Sequence, residues 1–234
     1  MILDRNRHQI SDLTDGLEAL TTEVRSMASA VGASEVEVEV EIAYAASRIV
    51  TPVEGQQAVV PVLGTRAVLR FRLDLVEDDR RRRAHSGAIR SPEVLDLLLG
   101  LPVGVPVPIG SLTPSERSAL RVAPPGVVAV GAGCVTRQAV YPLTVDLAVV
   151  ATRGWRTGLE VVGRFAPFCA RVMLLRQWPD DAENLRMQAD FYGIGVVIAH
   201  GTDVEILVAP HLFQRRRFTA AGWQFIEEVY KHVR

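Results

Sequence analysis

Lysine is almost absent from these 234 residues: Lys231 is the only one, and arginine supplies the rest of the 26 basic charges. Usage this one-sided fits a GC-rich coding genome, so the arginine count by itself does not signal bidentate recognition of phosphate or carboxylate. Net charge is equally scarce. With 27 acidic residues against 26 basic ones the formal sum is −1, which excludes a global field that would announce nucleic acid or an anionic membrane as partner. Cysteine is limited to Cys134 and Cys169, too few for a disulfide framework and too far apart for a CxxC motif, so both are expected as buried free thiols. No run approaches the roughly 20 apolar residues of a membrane span. The start, MILDRNRHQISDLTDG, has no apolar stretch of the kind a secretory signal needs, so a cytoplasmic protein with no membrane partner is expected.

What is present suits a folded chain. Hydrophobic residues make up 48% and charged residues 23%, the balance of a globular protein long enough for one large domain or two small ones. From Ile10 to Val31 apolar residues recur at steps of three and four, which predicts an amphipathic helix ending at Gly32. Ser34 to Ala43 alternates glutamate with valine or isoleucine, and Thr65 to Val76 alternates Arg66, Arg70, Arg72 and Asp74 with apolar residues. Both stretches read as strands of period two that pair across a loop broken by Pro52, Gly55 and Pro61, their opposite charges facing. The charge run Glu77 to His85 reads as a solvated turn or linker.

Beyond it, Ser91-Pro92 starts a short helix, the stretch LPVGVPVPIG at 101–110 breaks it, and Thr113 with Glu116 forms a capping box for a second. Val127 to Tyr141 reads as a hairpin turning at Gly131-Ala132-Gly133. After Pro142 strands and helices alternate: strand 143–151, helix 155–168, strand 171–175, helix 181–192, strands 195–199 and 204–208, then a terminal helix 219–233. The expected fold class is α+β, in three segments: an N-terminal helix with antiparallel strands over 1–85, a helical and hairpin segment over 86–142, and an α/β domain over 143–234.

Three stretches of the last segment, VDLAVVA at 145–151, WRTGLEVVGRFAPFCARVMLL at 155–175 and ADFYGIGVVIAHGTDVEILVAP at 189–210, resemble the second half of a PD-(D/E)XK, or restriction-endonuclease-like, domain. The resemblance implies a strand that carries the metal-binding acid and a lysine, then a helix, an inner strand, a helix ending in a small-residue turn, and a final pair of short strands. That family's chemistry needs carboxylates to hold a divalent cation and a cation beside the attacking water. Asp146 is the one acid on the expected strand. Ala148 stands where the family has lysine, no Pro-Asp precedes Asp146 at the usual distance, and Glu160 falls in a helix. The resemblance therefore implies a scaffold without its active site, with Asp146 as the only candidate remnant. Residues 91–141 resemble a winged-helix DNA-binding module, which would put Ser115, Arg117 and Arg121 on a recognition helix and Arg137 on a wing.

Three further candidates stand apart from these resemblances. Arg215, Arg216 and Arg217 precede Phe218 and a helix with Trp223 and Tyr230, so the triplet reads either as a phosphate-contacting patch or as a solvated loop before a docking helix. His200, His211 and His232, with Asp203 and Glu205, match no metal-ligand spacing and read as surface residues. Gly193-Ile194-Gly195 follows a helix, so it is a helix stop rather than a phosphate loop.

The functional expectation is a non-catalytic subunit that binds nucleic acid or a protein partner, in a setting such as a bacterial defence or phage-related complex. The alternatives are a purely structural assembly component or homo-oligomer and, last, an active metal-dependent nuclease. No cofactor and no metal are expected.

Overall fold

The computed structural model describes residues 35–50, 54–200 and 203–234; the helix expected over 10–31 lies outside them. The first described element corrects the sequence reading. Glu35–Val50 is a helix, α1, not a strand. Glutamate and valine alternate for only seven residues before the chain runs into IAYAAS, where Ile42, Ala43, Ala45 and Ala46 are buried at helical spacing. Glutamate and alanine are good helix formers, and the packed alanine face overrides the local period of two.

The expected pairing changes with it. The partner of β2 (Thr65–Leu73) is β1 (Gln56–Val62), in a stretch that reads from sequence as broken loop. Leu63 and Gly64, both at positive φ (54° and 74°), form the two-residue turn whose twist suits a hairpin. Pro61 is tolerated because β1 is an edge strand, where a missing amide need not pair.

The charge run is also corrected: Leu75–Arg83 is a helix, α2, capped by the Asp74 carboxylate on the amides of Val76 and Glu77. Helix α3 (Pro92–Gly100) is capped by Ser91, and α4 (Pro114–Arg121) carries the predicted capping box of Thr113 and Glu116. Between them lie the short strand β3 (Pro106–Pro108) and a single 3-10 turn, Ile109–Ser111. The predicted hairpin is β4 (Val128–Gly131) and β5 (Cys134–Arg137), and β3 pairs with β5 to give a three-stranded sheet ordered β3-β5-β4. The remaining elements follow the sequence reading in order and type, except that the helix expected over 155–168 ends at Gly163: β6 (Leu143–Thr152), α5 (Trp155–Gly163), β7 (Ala170–Leu175), α6 (Ala182–Tyr192), β8 (Gly195–His200), β9 (Asp203–Val208) and α7 (Ala220–Val233). The fold is α+β.

The described residues divide into two compact units, those up to 71 with those of 145–214, and residues 72–144 with 215–234. This differs from the three consecutive segments read from sequence, because the chain leaves the first unit after β2, returns to it at β6, and ends in the second. The first unit is built on a six-stranded sheet ordered β1-β2-β6-β7-β8-β9. Its β6, β7 and β8 run parallel, joined through α5 and α6, and the outer hairpins are antiparallel. Helix α1 covers one face, over Val68, Leu147, Val149, Val172, Leu174, Val197 and Ala199. Helix α5 approaches the other face closely enough that a Cβ at Gly158 would lie 2.2 Å from Met173 Sδ and 2.7 Å from Thr152 Oγ1. The second unit packs α3, α4, the hairpin and Trp223 of α7 around Leu95, Leu97, Leu98, Val127 and Val135.

Candidate functional site

Charge in the second unit is organised around a helix that the sequence reading took for a linker. Arg81 of α2 is 1% exposed and both arms of its guanidinium engage Glu227 of α7, Nη1 to Oε2 and Nη2 to Oε1 at 2.7 Å each. Its Nε donates to Glu77 at 2.7 Å, and Nη2 also reaches the Val140 carbonyl at 3.2 Å. Burial alone would lower the Arg81 pKa; Glu227 and Glu77 more than reverse this, and it lies above the ordinary arginine value. Glu227 is satisfied in turn by Trp223 Nε1 at 2.8 Å and by the Ile89 amide at 2.9 Å.

A second cluster adjoins it. Tyr230 donates to Asp78 at 2.9 Å and Arg234 Nε donates to the same oxygen at 2.8 Å. Burial pushes the Tyr230 hydroxyl up to about 12, with Asp78 adding to the shift, so it stays a neutral donor. Burial would raise the Asp78 carboxyl, but Arg234 and Tyr230 outweigh it and hold it below the usual range. These groups bind one another across the two helices. They clamp α2 to α7, with all three nitrogens of the Arg81 guanidinium engaged.

The sequence-predicted site residues scatter. Arg137 does not stand on a wing tip. It is 8% exposed at the base of the hairpin, donating to the carbonyls of Ala139, Leu98 and Leu101 at 2.8, 2.6 and 3.3 Å and lying over the Trp223 ring at 4.7 Å. Burial lowers its pKa. Arg117 on α4 donates back to the Leu112 carbonyl, and Arg121 is exposed and donates to Ser118 at 2.8 Å. Ser115 is exposed on the same helix. Arg215 lies over the rings of Tyr141 and Phe218 at 5.5 and 5.9 Å, while Arg216 and Arg217 are exposed. Tyr141 stacks on Trp223 at 4.6 Å, so the aromatic stripe read from sequence is a packed anchor.

In the first unit Asp146 is half-buried on β6 beside β2, where its charge acts on Arg70. Loss of water lowers the pKa of buried Arg70, and Asp146 pulls it the other way. Ala148 is fully buried, and Glu160 is exposed on α5. Among the described residues no group of three or more His, Cys, Asp or Glu side chains is placed to hold a metal ion. His211 pairs with Asp190 at 3.5 Å and His232 with Glu228 at 3.2 Å. The side chains of His200 and Asp203 lie outside the described residues. Cys169 is buried and Cys134 half-buried, and neither is in a disulfide. Gly193 caps α6 at φ 65°, as expected of a helix stop.

The signal that would have found α2 is in the sequence: Glu77, Asp78 and Asp79 are each followed four residues later by an arginine, the spacing of helical ion pairs. No family model, curated protein or solved structure matches the chain. Among the described residues no helix is long and apolar enough to cross a membrane.

Proposed function

We propose that the chain is a non-catalytic binding subunit, in which a restriction-endonuclease-like scaffold without metal chemistry carries a winged-helix-like unit that makes the contacts. The observation that carries this reading is the state of β6. Its one acid, Asp146, acts on Arg70 of the neighbouring strand, and the position that would hold the catalytic lysine is a fully buried alanine. A carboxylate engaged with a buried arginine is a poor ligand for a hard cation. The run β6-α5-β7-α6-β8-β9 follows the order of elements that the resemblance implies, and the 3-10 turn at Ile109–Ser111 supplies a helical turn between α3 and α4 in the winged-helix reading.

Each class of partner has one observation in its favour. Exposed Arg216 and Arg217, beside a ring-stacked Arg215, favour sequence-blind contact with nucleic acid phosphates. Against this, residues 101–141 contain only Glu116, Arg117, Arg121 and Arg137 as charged residues, while Val103, Val105 and Val130 stand 53%, 51% and 61% exposed. A neutral, valine-bearing surface suits an apolar protein partner better than a polyanion.

Fluorescence anisotropy with mixed-sequence duplex and single-stranded DNA, titrated with salt, separates the two. Affinity that falls steeply with salt and disappears when Arg215, Arg216 and Arg217 are replaced by glutamate supports nucleic acid. Absence of binding at low salt removes nucleic acid and leaves the protein partner.

A further inference from the structure

The second unit contains a cleft of about 510 Å³ at the C-terminal ends of α2 and α7, within the size range of small-ligand sites. Its walls carry Arg81, Arg82, Arg90, Lys231 and Arg234 and no Asp or Glu side chain. The acids that balance these cations sit elsewhere: Glu77 and Glu227 are buried behind Arg81, Asp78 takes Arg234, Asp79 takes Arg82 at 3.2 Å, and Glu228 takes Lys231 at 3.2 Å. Arg90 is exposed at the cleft and has no hydrogen bond or ion pair among the described residues.

A second observation points to a ligand. Ser86 lines the cleft, is more than nine-tenths buried, and its Oγ has no hydrogen-bond partner. A buried hydroxyl without a partner is costly unless something supplies one. The loop that carries it is held at both ends. His85 sits at φ 51°, its amide donating to the Arg82 carbonyl at 3.2 Å, and the Ser86 amide donates to Arg81 at 2.9 Å, closing the helix end. Three residues on, the Ile89 amide is fixed by Glu227. The carbonyl end of α2 would itself repel an anion, but the Arg80, Arg81 and Arg82 carbonyls are already taken by the amides of Ala84, Ser86 and His85.

We infer that this cleft binds a phosphate monoester or pyrophosphate group, with Arg90, Lys231 and Arg234 as charged donors and the Ser86 hydroxyl as a neutral one. Guanidinium and ammonium donors around one hydroxyl match several acceptor oxygens on one dianion. Tyr230 lines the same cleft but donates its hydroxyl hydrogen bond to Asp78, so it shapes the wall without contacting the ligand. The inference is independent of the nucleic-acid reading, which rests on Arg215 to Arg217 before α7 and not on this end of the helix.

Isothermal titration of the full chain with pyrophosphate at physiological salt tests it. The expected result is saturable one-to-one binding tighter than about 1 mM, weakened at least about tenfold by Arg90→Glu or Lys231→Glu and several-fold by Ser86→Ala. Circular dichroism checks that each variant folds, and a variant with Arg216 and Arg217 changed to glutamate binds pyrophosphate as the parent does. Adenosine monophosphate and a 5′-phosphorylated oligonucleotide, compared with its 5′-hydroxyl form, tell a small ligand from a strand end. No saturable binding, or binding indifferent to Arg90→Glu and Ser86→Ala, overturns the inference.

Discussion

The two units solve the problem of a stable interior in different ways. The first is held by an apolar sheet: its cluster under α1 consists of alanine, valine, leucine and isoleucine, with Arg70 as its one buried charge among the described residues. The second buries Glu77, Asp78, Arg81, Arg137 and Glu227 along with its apolar core. Burial of apolar area is non-directional and forgiving, whereas a buried ion network is directional, and removing one member strands the others. The second unit should therefore be brittle toward single polar substitutions at several positions, where the first unit has Arg70.

The largest effect that would break this comparison is at Arg81. Arg81→Ala is expected to destabilise the second unit by about 3–5 kcal/mol, because Glu77 and Glu227 stay buried without their cation. Urea unfolding followed by Trp223 fluorescence measures it. Replacing Glu77, Arg81 and Glu227 together by apolar residues of similar volume should cost far less than Arg81→Ala alone, and a triple variant as unstable as the single one would show that the ions are not the source. In the first unit the matching loss is apolar: Leu147→Ala should cost about 2–5 kcal/mol through the cavity it leaves, with little dependence on pH or salt.

A subtler contrast lies in acid. Asp78 has a native pKa below its ordinary value, so its stabilisation is complete above about pH 4 and is lost as pH falls through the native value. Parent and Asp78→Asn stabilities should differ at neutral pH and converge at the acid end of a pH series; a constant gap would remove the ion pair with Arg234 as the cause. The smallest effect is at the surface. Arg216→Ala and Arg217→Ala should each change stability by less than about 0.5 kcal/mol, a shift that thermal unfolding resolves as near zero.

The same contrast explains what the sequence shows of the fold. Elements stabilised by apolar periodicity and local caps are legible: β6 through α7, the Ser91 cap, the Thr113–Glu116 box and the hairpin at Gly131 all stand where residue patterns put them. Elements decided by tertiary contacts are not. The alternation over Glu35–Ile42 satisfies a strand template, yet the alanines that follow bind the segment to the sheet as a helix. The run EDDRRRR reads as solvated because charge is usually solvated, and only Glu227, 146 residues away from Arg81, turns it into an interior. The burial of Arg137 is hidden for the same reason: its acceptors are main-chain carbonyls at Leu98 and Leu101, which no side-chain pattern announces. The cationic cleft depends on α2 and α7 lying side by side, so it too is invisible before the fold is known.

The proposed function requires that the first unit have no metal-dependent chemistry. Incubation of the purified chain with supercoiled, linear and single-stranded DNA in the presence of magnesium or manganese, alongside Asp146→Asn, tests it most directly. The account predicts no cleavage by either protein. Metal-dependent cleavage by the parent that is lost in Asp146→Asn would contradict it.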